Sequence, residues 1–138
     1  MGPAKDAILQ IHPTRRCNLR CLHCYSSSGP DQRDQLPSAV FERAIADARS
    51  EDFRVASFSG GEPTLYKDLP ILLRQARAHG MTTTVTSNGM LLDEKHLEAL
   101  TGVTNVLAIS LDGLPASHNH MRANPHAFET MAAHLPAV

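Results

Sequence analysis

The sequence lacks tryptophan and contains only 4% aromatic residues, so aliphatic side chains must fill its core. It has no apolar run close to the roughly 18 residues that a membrane span requires, and its first residues lack the apolar core of a secretory signal. The formal net charge is only -1 at pH 7, which gives no reason to expect nucleic acid or a membrane surface as a partner. We therefore expect a cytoplasmic protein of 138 residues that forms one domain or part of one.

Cysteine is also scarce, and all three cysteines, Cys17, Cys21 and Cys24, lie within eight positions. An odd, clustered set argues against a disulfide framework. Three thiolates in one short segment, here called the cysteine loop (residues 15–30), form a soft anionic site that suits zinc or an iron–sulfur cluster. Because four thiolates would close either site, three leave one metal position open, and an open position indicates ligand binding.

Two other interpretations of the cysteines stay open at this point. Positions 17, 21 and 24 share one helical face, so the cysteines could be core residues. Polar flanking sequences that break helices disfavour this interpretation. A zinc-binding module could instead use His12 or His23 as its fourth ligand.

Short apolar runs alternate with amphipathic segments along the chain. Strands are predicted over residues 7–12, 54–58, 82–86 and 105–111, and helices over 37–50, 68–80, 93–102 and 124–135. Asp68 and Asp93 are candidate N-caps, and Val40, Phe41 and Ile45 lie on the apolar stripe of the first helix. The polar residues 26–35 read as a linker. Four strand–helix units in succession predict an α/β fold with a parallel sheet.

Loops that follow the strands of a parallel sheet open on one rim, where ligand sites of barrels and doubly wound sheets lie. Four polar, glycine-bearing stretches follow the predicted strands: the cysteine loop, SGGEP (residues 59–63, the glycine loop), SNG (87–89) and SLDG (110–113). We therefore expect these stretches to converge. Asn88-Gly89 and Asp112-Gly113 also fit ordinary turns, and Arg122 fits a solvated charge.

The spacing Cys-x3-Cys-x2-Cys in CNLRCLHC, with SGGEP downstream, resembles the radical S-adenosylmethionine (radical SAM) superfamily. SNG and SLDG resemble the third and fourth strand ends of that superfamily, and the combination is most similar to its SPASM or twitch subgroup. The resemblance implies a parallel (β/α) repeat that is partial TIM-barrel-like, with about four of the usual six β/α units. Residues 1–138 would then be the N-terminal portion of a truncated radical SAM core domain.

The same resemblance implies a role for each cysteine. Cys17, Cys21 and Cys24 would each bind one iron of a 4Fe–4S cluster, and S-adenosylmethionine (SAM) would chelate the fourth iron. The three-cysteine count is thereby explained, because the cofactor supplies the remaining ligands.

Further residues would bind the cofactor. Glu62 and its glycine loop would meet the methionine amino group, and Ser110 the ribose. His23 stands where the family usually has an aromatic or apolar residue beside the adenine, and Arg122 stands where related enzymes place an arginine near the cofactor carboxylate. The full expected set is His23, Gly60, Gly61, Glu62, Pro63, Ser87, Asn88, Ser110, Asp112 and Arg122.

The resemblance implies an enzyme that takes an electron from an external flavodoxin- or ferredoxin-like donor. It would cleave SAM reductively to methionine and a 5′-deoxyadenosyl radical, which abstracts hydrogen from a substrate. The subgroup includes peptide and protein maturases, so a peptide is the expected substrate. The competing hypotheses are a non-catalytic iron–sulfur or zinc-binding module and a catalytically inactive remnant.

Overall fold

Four strands and five helices make up the structure, a computed structural model that describes residues 7–137. The strands are β1 (Ile8–Ile11), β2 (Val55–Phe58), β3 (Thr82–Ser87) and β4 (Val106–Ile109). The helices are α1 (Ser38–Ser50), α2 (Leu69–Ala78), α3 (Glu94–Leu100), α4 (Pro115–Met121) and α5 (Ala127–His134). Short 3₁₀ turns occupy Pro63–Leu65 and Leu135–Ala137.

The sheet has the order β1-β2-β3-β4, and every neighbouring pair is parallel. Ile11 pairs with Phe58, and Ser87 pairs with Ile109, so the carboxyl ends of the strands lie along one edge. This confirms the predicted parallel α/β fold and its common rim. The sheet is not closed into a barrel within the described residues.

One face of the sheet forms the core with α1 and α2. Phe58 and Val85 point into this core together with Ile45 and Leu72, and all four side chains are fully buried. Val40 was expected on the buried stripe of α1, but it is 48% exposed. The buried face of α1 is centred on Phe41 and Ile45, and Val40 lies about 100° round the axis from Phe41, on the outer edge of the stripe.

The helix ends agree in part with the predicted caps. The Asp93 side chain accepts a hydrogen bond from the His96 backbone N–H and so caps α3. Asp68 precedes α2, as predicted, but its side chain makes no capping bond. Within the described residues, none of the helices combines the length and the apolar content that a bilayer crossing requires.

Helix α4 is absent from the sequence-based prediction. It is only seven residues long and buries His118, so it shows little apolar periodicity. Its one sequence signal is Pro115 at the first helical position, a place that suits proline because no backbone N–H is needed there.

Candidate functional site

A cavity of about 220 Å³ opens on the rim, and the loops that follow all four strands line it. All three cysteines line this cavity. So do most of the other predicted site residues, namely His23, Gly60, Gly61, Ser87, Asn88, Ser110 and Arg122. Glu62, Pro63 and Asp112 do not line it. The predicted convergence of the loops is therefore present in the structure.

The cysteine loop is an irregular loop that its own backbone closes. The Arg15 N–H donates to the Asp34 carbonyl at 2.9 Å, and the Cys17 N–H donates to the Gly29 carbonyl at 3.2 Å. The cysteines are free thiols of intermediate burial in a non-helical segment, so they are not a core stripe of a helix. Residues 26–35 are not a linker, because they run back beside the start of the cysteine loop, where the Gly29 and Asp34 carbonyls accept hydrogen bonds from Cys17 and Arg15.

Each thiol has a nitrogen donor beside its sulfur. Asn88 Nδ2 lies 3.8 Å from Cys17 Sγ, and Arg122 Nη1 lies 3.7 Å from Cys21 Sγ. The Ser28 backbone N–H donates to Cys24 Sγ at 3.3 Å. N–H donors favour the anionic sulfur, so each of these contacts acts in favour of the thiolate form.

Two of the thiols differ in acidity. Partial burial acts to raise the pKa of Cys24, but hydrogen bonds from the Ser26 side chain and the backbone of residues 26–28 outweigh it and lower the pKa. The pKa of Cys17 is raised, chiefly by burial and in addition by the negative charges of Glu62 and the other two cysteines. Metal binding must therefore displace a more firmly held proton at Cys17 than at Cys24.

The donor set fits an iron–sulfur cluster. Three thiols with their own N–H donors share one cavity, and such clusters take cysteine thiolates as ligands. Across residues 7–137, no three His, Cys, Asp or Glu side chains converge closely enough to hold a single metal ion. The ligands of a polynuclear cluster bind different metal atoms and need not converge on one point.

The glycine loop packs directly against the cysteine loop. The Gly61 N–H donates to the Thr14 carbonyl at 3.0 Å, and the Glu62 N–H donates to the Arg16 carbonyl at 2.9 Å. A Cβ on Gly61 would lie 2.9 Å from the Arg16 carbonyl carbon and closer still to its oxygen. Gly60 has φ of +102°, a conformation that glycine adopts without strain. The glycines thus permit close approach of the chain's own backbone.

Glu62 is 1% exposed, and protein donors engage both of its carboxylate oxygens. Oε1 accepts from the Thr64 backbone N–H at 3.2 Å, the Thr64 hydroxyl at 2.8 Å and the Ser87 hydroxyl at 3.0 Å. Oε2 accepts from the Asn88 backbone N–H at 2.8 Å. The side chain therefore ties the glycine loop to the end of β3.

Asn88 combines a turn contact with a contact to the cysteine loop. Its Oδ1 accepts from the Met90 N–H at 3.0 Å, as in an ordinary turn. Its Nδ2 donates to Asn18 Oδ1 at 2.8 Å and faces Cys17. Sequence reasoning missed Asn18, which has no signal beyond its place beside Cys17.

Asp112 joins β4 to the cysteine loop. Its Oδ1 accepts from Arg122 Nη2 at 3.1 Å and pairs with His23 Nε2 at 3.1 Å, while Oδ2 lies 2.6 Å from Arg122 Nε. The last contact is an ion pair without hydrogen-bond geometry. Partial burial acts to raise the pKa of Asp112, but the bonds from His23 and Arg122 and the charge of Arg122 outweigh it and lower the pKa.

Several residues of the cavity wall were not predicted. The Tyr25 hydroxyl contacts His12 Nε2 and Ser59 Oγ, each at 3.2 Å. The Ser26 hydroxyl donates to the Gly60 carbonyl at 3.0 Å and so links the cysteine and glycine loops. The only sequence signal for these residues is their position next to a motif.

The family model described as the Radical SAM superfamily matches residues 11–135. Among curated relatives, Fe-coproporphyrin III synthase of Methanosarcina barkeri is 35% identical over 127 residues, which are 91% of this chain and 32% of the relative. PqqA peptide cyclase of Xanthomonas campestris is 30% identical over 139 aligned residues, 99% of this chain and 36% of the relative. The chain thus spans about a third of the length of these relatives.

The solved structures include SuiB of Streptococcus suis bound to S-adenosylmethionine. It matches with a TM-score of 0.75 and 26% identity over 92% of this chain and 30% of that protein. Three comparisons agree with the cysteine spacing and the rim cavity. The family model matches most of the chain, curated relatives are similar in sequence, and a solved structure shares the fold. The chain belongs to the radical SAM superfamily, whose members bind a 4Fe–4S cluster and SAM.

Proposed function

We propose that this chain holds a 4Fe–4S cluster on Cys17, Cys21 and Cys24 and binds SAM in the adjoining cavity, as part of a radical SAM core domain that includes residues 1–138. One observation carries the proposal: three free thiols, each with an N–H donor, open on a cavity to which all four rim loops contribute. When bound, the cluster and SAM supply reductive cleavage to methionine and a 5′-deoxyadenosyl radical that abstracts hydrogen from a substrate.

The cavity wall suggests how the chain would hold SAM. We assign the ribose to Ser110, which lines the cavity directly after β4. We assign the methionine amino group to the backbone of Gly60 and Gly61, and the adenine edge to His23. Arg122 lines the same wall, where its charge suits the cofactor carboxylate.

Neither Glu62 nor Pro63 lines the cavity, so we assign no direct contact with SAM to either residue. The Glu62 carboxylate holds Ser87 and Asn88, which do line it. Glu62 would then support SAM binding through the position of β3 and of the glycine loop.

We propose a peptide as the substrate class, which the names of some of the similar proteins support. PqqA peptide cyclase carries a peptide in its name, and SuiB has been solved with the precursor peptide SuiA at a TM-score of 0.76 to this chain. The electron would come from a flavodoxin- or ferredoxin-like protein, and we place the protein in the cytoplasm. These assignments are proposals, because the chain spans about a third of those relatives.

Anaerobic reconstitution with iron and sulfide, followed by dithionite and SAM, tests the proposed activity. We expect 5′-deoxyadenosine to form in the parent protein and not in Cys21→Ala, which removes one cluster ligand. Ser50→Ala, on the exposed side of α1, is the control and should retain product formation. A protein that binds zinc tightly and releases no 5′-deoxyadenosine would contradict the proposal.

The role of Ser110 has its own test. Ser110→Ala should leave the iron content unchanged and weaken SAM binding by about 1 kcal/mol, or roughly fivefold, as expected for one lost hydrogen bond. Equilibrium binding of SAM to the reconstituted protein measures this effect. An unchanged affinity would remove Ser110 from the site.

A further inference from the structure

We infer that the guanidinium of Arg122, held in place by Asp112, acts on the Cys21 thiolate and raises the reduction potential of the cluster bound there. This inference rests on the proposed cluster on the three cysteines. It gives Arg122 a positioning and electrostatic role toward a metal ligand, in addition to any contact with SAM.

Two nitrogens of the guanidinium contact one carboxylate, that of Asp112. Arg122 Nη2 and Nε both contact the Asp112 carboxylate, at 3.1 Å and 2.6 Å, and the Arg122 side chain is only 11% exposed. Because the guanidinium is planar, a hydrogen bond from Nη2 and an ion-pair contact at Nε restrict the direction of its third nitrogen as well. That third nitrogen, Nη1, lies 3.7 Å from Cys21 Sγ.

The backbone on either side of this contact is also tied together. The Leu22 N–H, next to Cys21, donates to the carbonyl of Met121, next to Arg122, at 2.9 Å. The Arg122 N–H in turn donates to the His118 carbonyl at 2.9 Å. The contact between Arg122 and Cys21 is therefore built into the packing of α4 on the cysteine loop and does not depend on one long side chain alone.

Asp112 is also held in place, by one contact with α4 and one with the cysteine loop. Its backbone N–H donates to His118 Nδ1 at 3.3 Å, which gives the buried imidazole a defined acceptor nitrogen. Its Oδ1 also contacts His23 of the cysteine loop. The segment from Asp112 to Arg122 thus touches the cysteine loop at three consecutive positions, Cys21, Leu22 and His23.

The direction of the electronic effect follows from charge. Reduction adds one electron from an external one-electron donor to the bound cluster, moves no proton or other group, and makes the cluster more negative. A cationic N–H donor at a ligand sulfur stabilises the more negative state, and hydrogen bonds to sulfur and local charge are known determinants of cluster potential. The low exposure of Arg122 limits screening by water.

Redox titration of the reconstituted cluster, followed by electron paramagnetic resonance without SAM, tests the inference. Arg122→Gln should lower the equilibrium constant for reduction about tenfold, a shift of about 59 mV to more negative potential for one electron. Arg122→Lys keeps the charge but loses the planar contact with Asp112, so its potential should fall between those of the parent and Arg122→Gln.

Arg20→Gln is the matched control. Arg20 lies in the same cysteine loop and loses the same charge, but its side chain is 62% exposed and pairs with Asp31. Its potential should stay close to that of the parent.

The outcomes separate the inference from the proposed function. A parent protein that assembles no cluster would overturn both. A parent with a normal cluster and an Arg122→Gln potential equal to that of Arg20→Gln would overturn the inference alone. If Arg122→Gln does not take up iron, Arg122→Met, which also removes the charge, decides, and a Met variant at the potential of Arg20→Gln would overturn the inference.

Discussion

Replacement of Glu62 by glutamine should destabilise the protein through the loss of one hydrogen bond, the one that the Asn88 backbone N–H donates to Oε2. Oε1 accepts three hydrogen bonds, and a glutamine oxygen can retain them. The amide NH₂ would then occupy the place of Oε2 and face the Asn88 N–H, the donor now found at 2.8 Å. Two donors would meet at a buried position, because Glu62 is 1% exposed and Asn88 is 7% exposed.

Two effects set the expected change in the free energy of unfolding: one charge-assisted hydrogen bond is lost, and one buried N–H donor is left without an acceptor. Each of these effects costs about 1–3 kcal/mol. Removal of a buried charge offsets part of the loss, which leaves a net destabilisation of about 2 kcal/mol. With a urea m-value of about 2 kcal/mol per molar, the unfolding midpoint should fall by about 1 M.

Urea denaturation of Glu62→Gln beside Glu98→Gln gives the comparison. Glu98 lies exposed on α3, and a surface substitution of this kind should change stability by no more than about 0.5 kcal/mol. Equal midpoints for the two variants would refute the view that Glu62 ties the glycine loop to β3. Glu62→Ala should also spare iron binding and weaken SAM binding, and an unchanged SAM affinity would remove Glu62 from the support of the cavity.

Two further predictions concern packing and pH. Gly61→Ala should lower the melting temperature and the iron content together, because its Cβ would collide with the Arg16 carbonyl. Gly80→Ala is the control: a Cβ there meets open space, but the backbone has φ of +73°. This control should lower the free energy of unfolding by only about 1–2 kcal/mol and leave the iron content unchanged. Burial, together with the charge of Arg122, lowers the pKa of His118 below its usual 6.5. Since the unfolded chain then binds the proton more readily, His118 contributes full stability above about pH 6.5 and loses it as the pH falls. Urea denaturation at pH 7.5 and pH 5 should show a smaller difference in His118→Gln than in the parent, and an equal difference would count against this assignment.

The sheet and its rim could be predicted because each depends on local patterns. The β-branched run of β3 and the apolar run of β4 identify strands without reference to their neighbours. Once four strand–helix units are counted, parallel order places all the following loops at one edge. Because the three cysteines follow β1 in the sequence, this parallel order was enough to place them at that edge with the other loops.

The contacts that hold the site together could not be predicted, because they join residues far apart in sequence. Asn88 faces Cys17 across 71 positions, and Arg122 faces Cys21 across 101. No local propensity encodes such pairs. The sequence likewise does not show that both oxygens of Glu62 are engaged by the protein, since that depends on where β3 ends beside the glycine loop.

The most direct test of a three-cysteine cluster with one open iron is the electron paramagnetic resonance spectrum of the reduced, reconstituted protein before and after addition of SAM. We predict about four irons per chain and a spectrum that changes on addition of SAM, because the cofactor coordinates the iron that no cysteine binds. A reduced cluster whose spectrum is the same with and without SAM would contradict this account of the site.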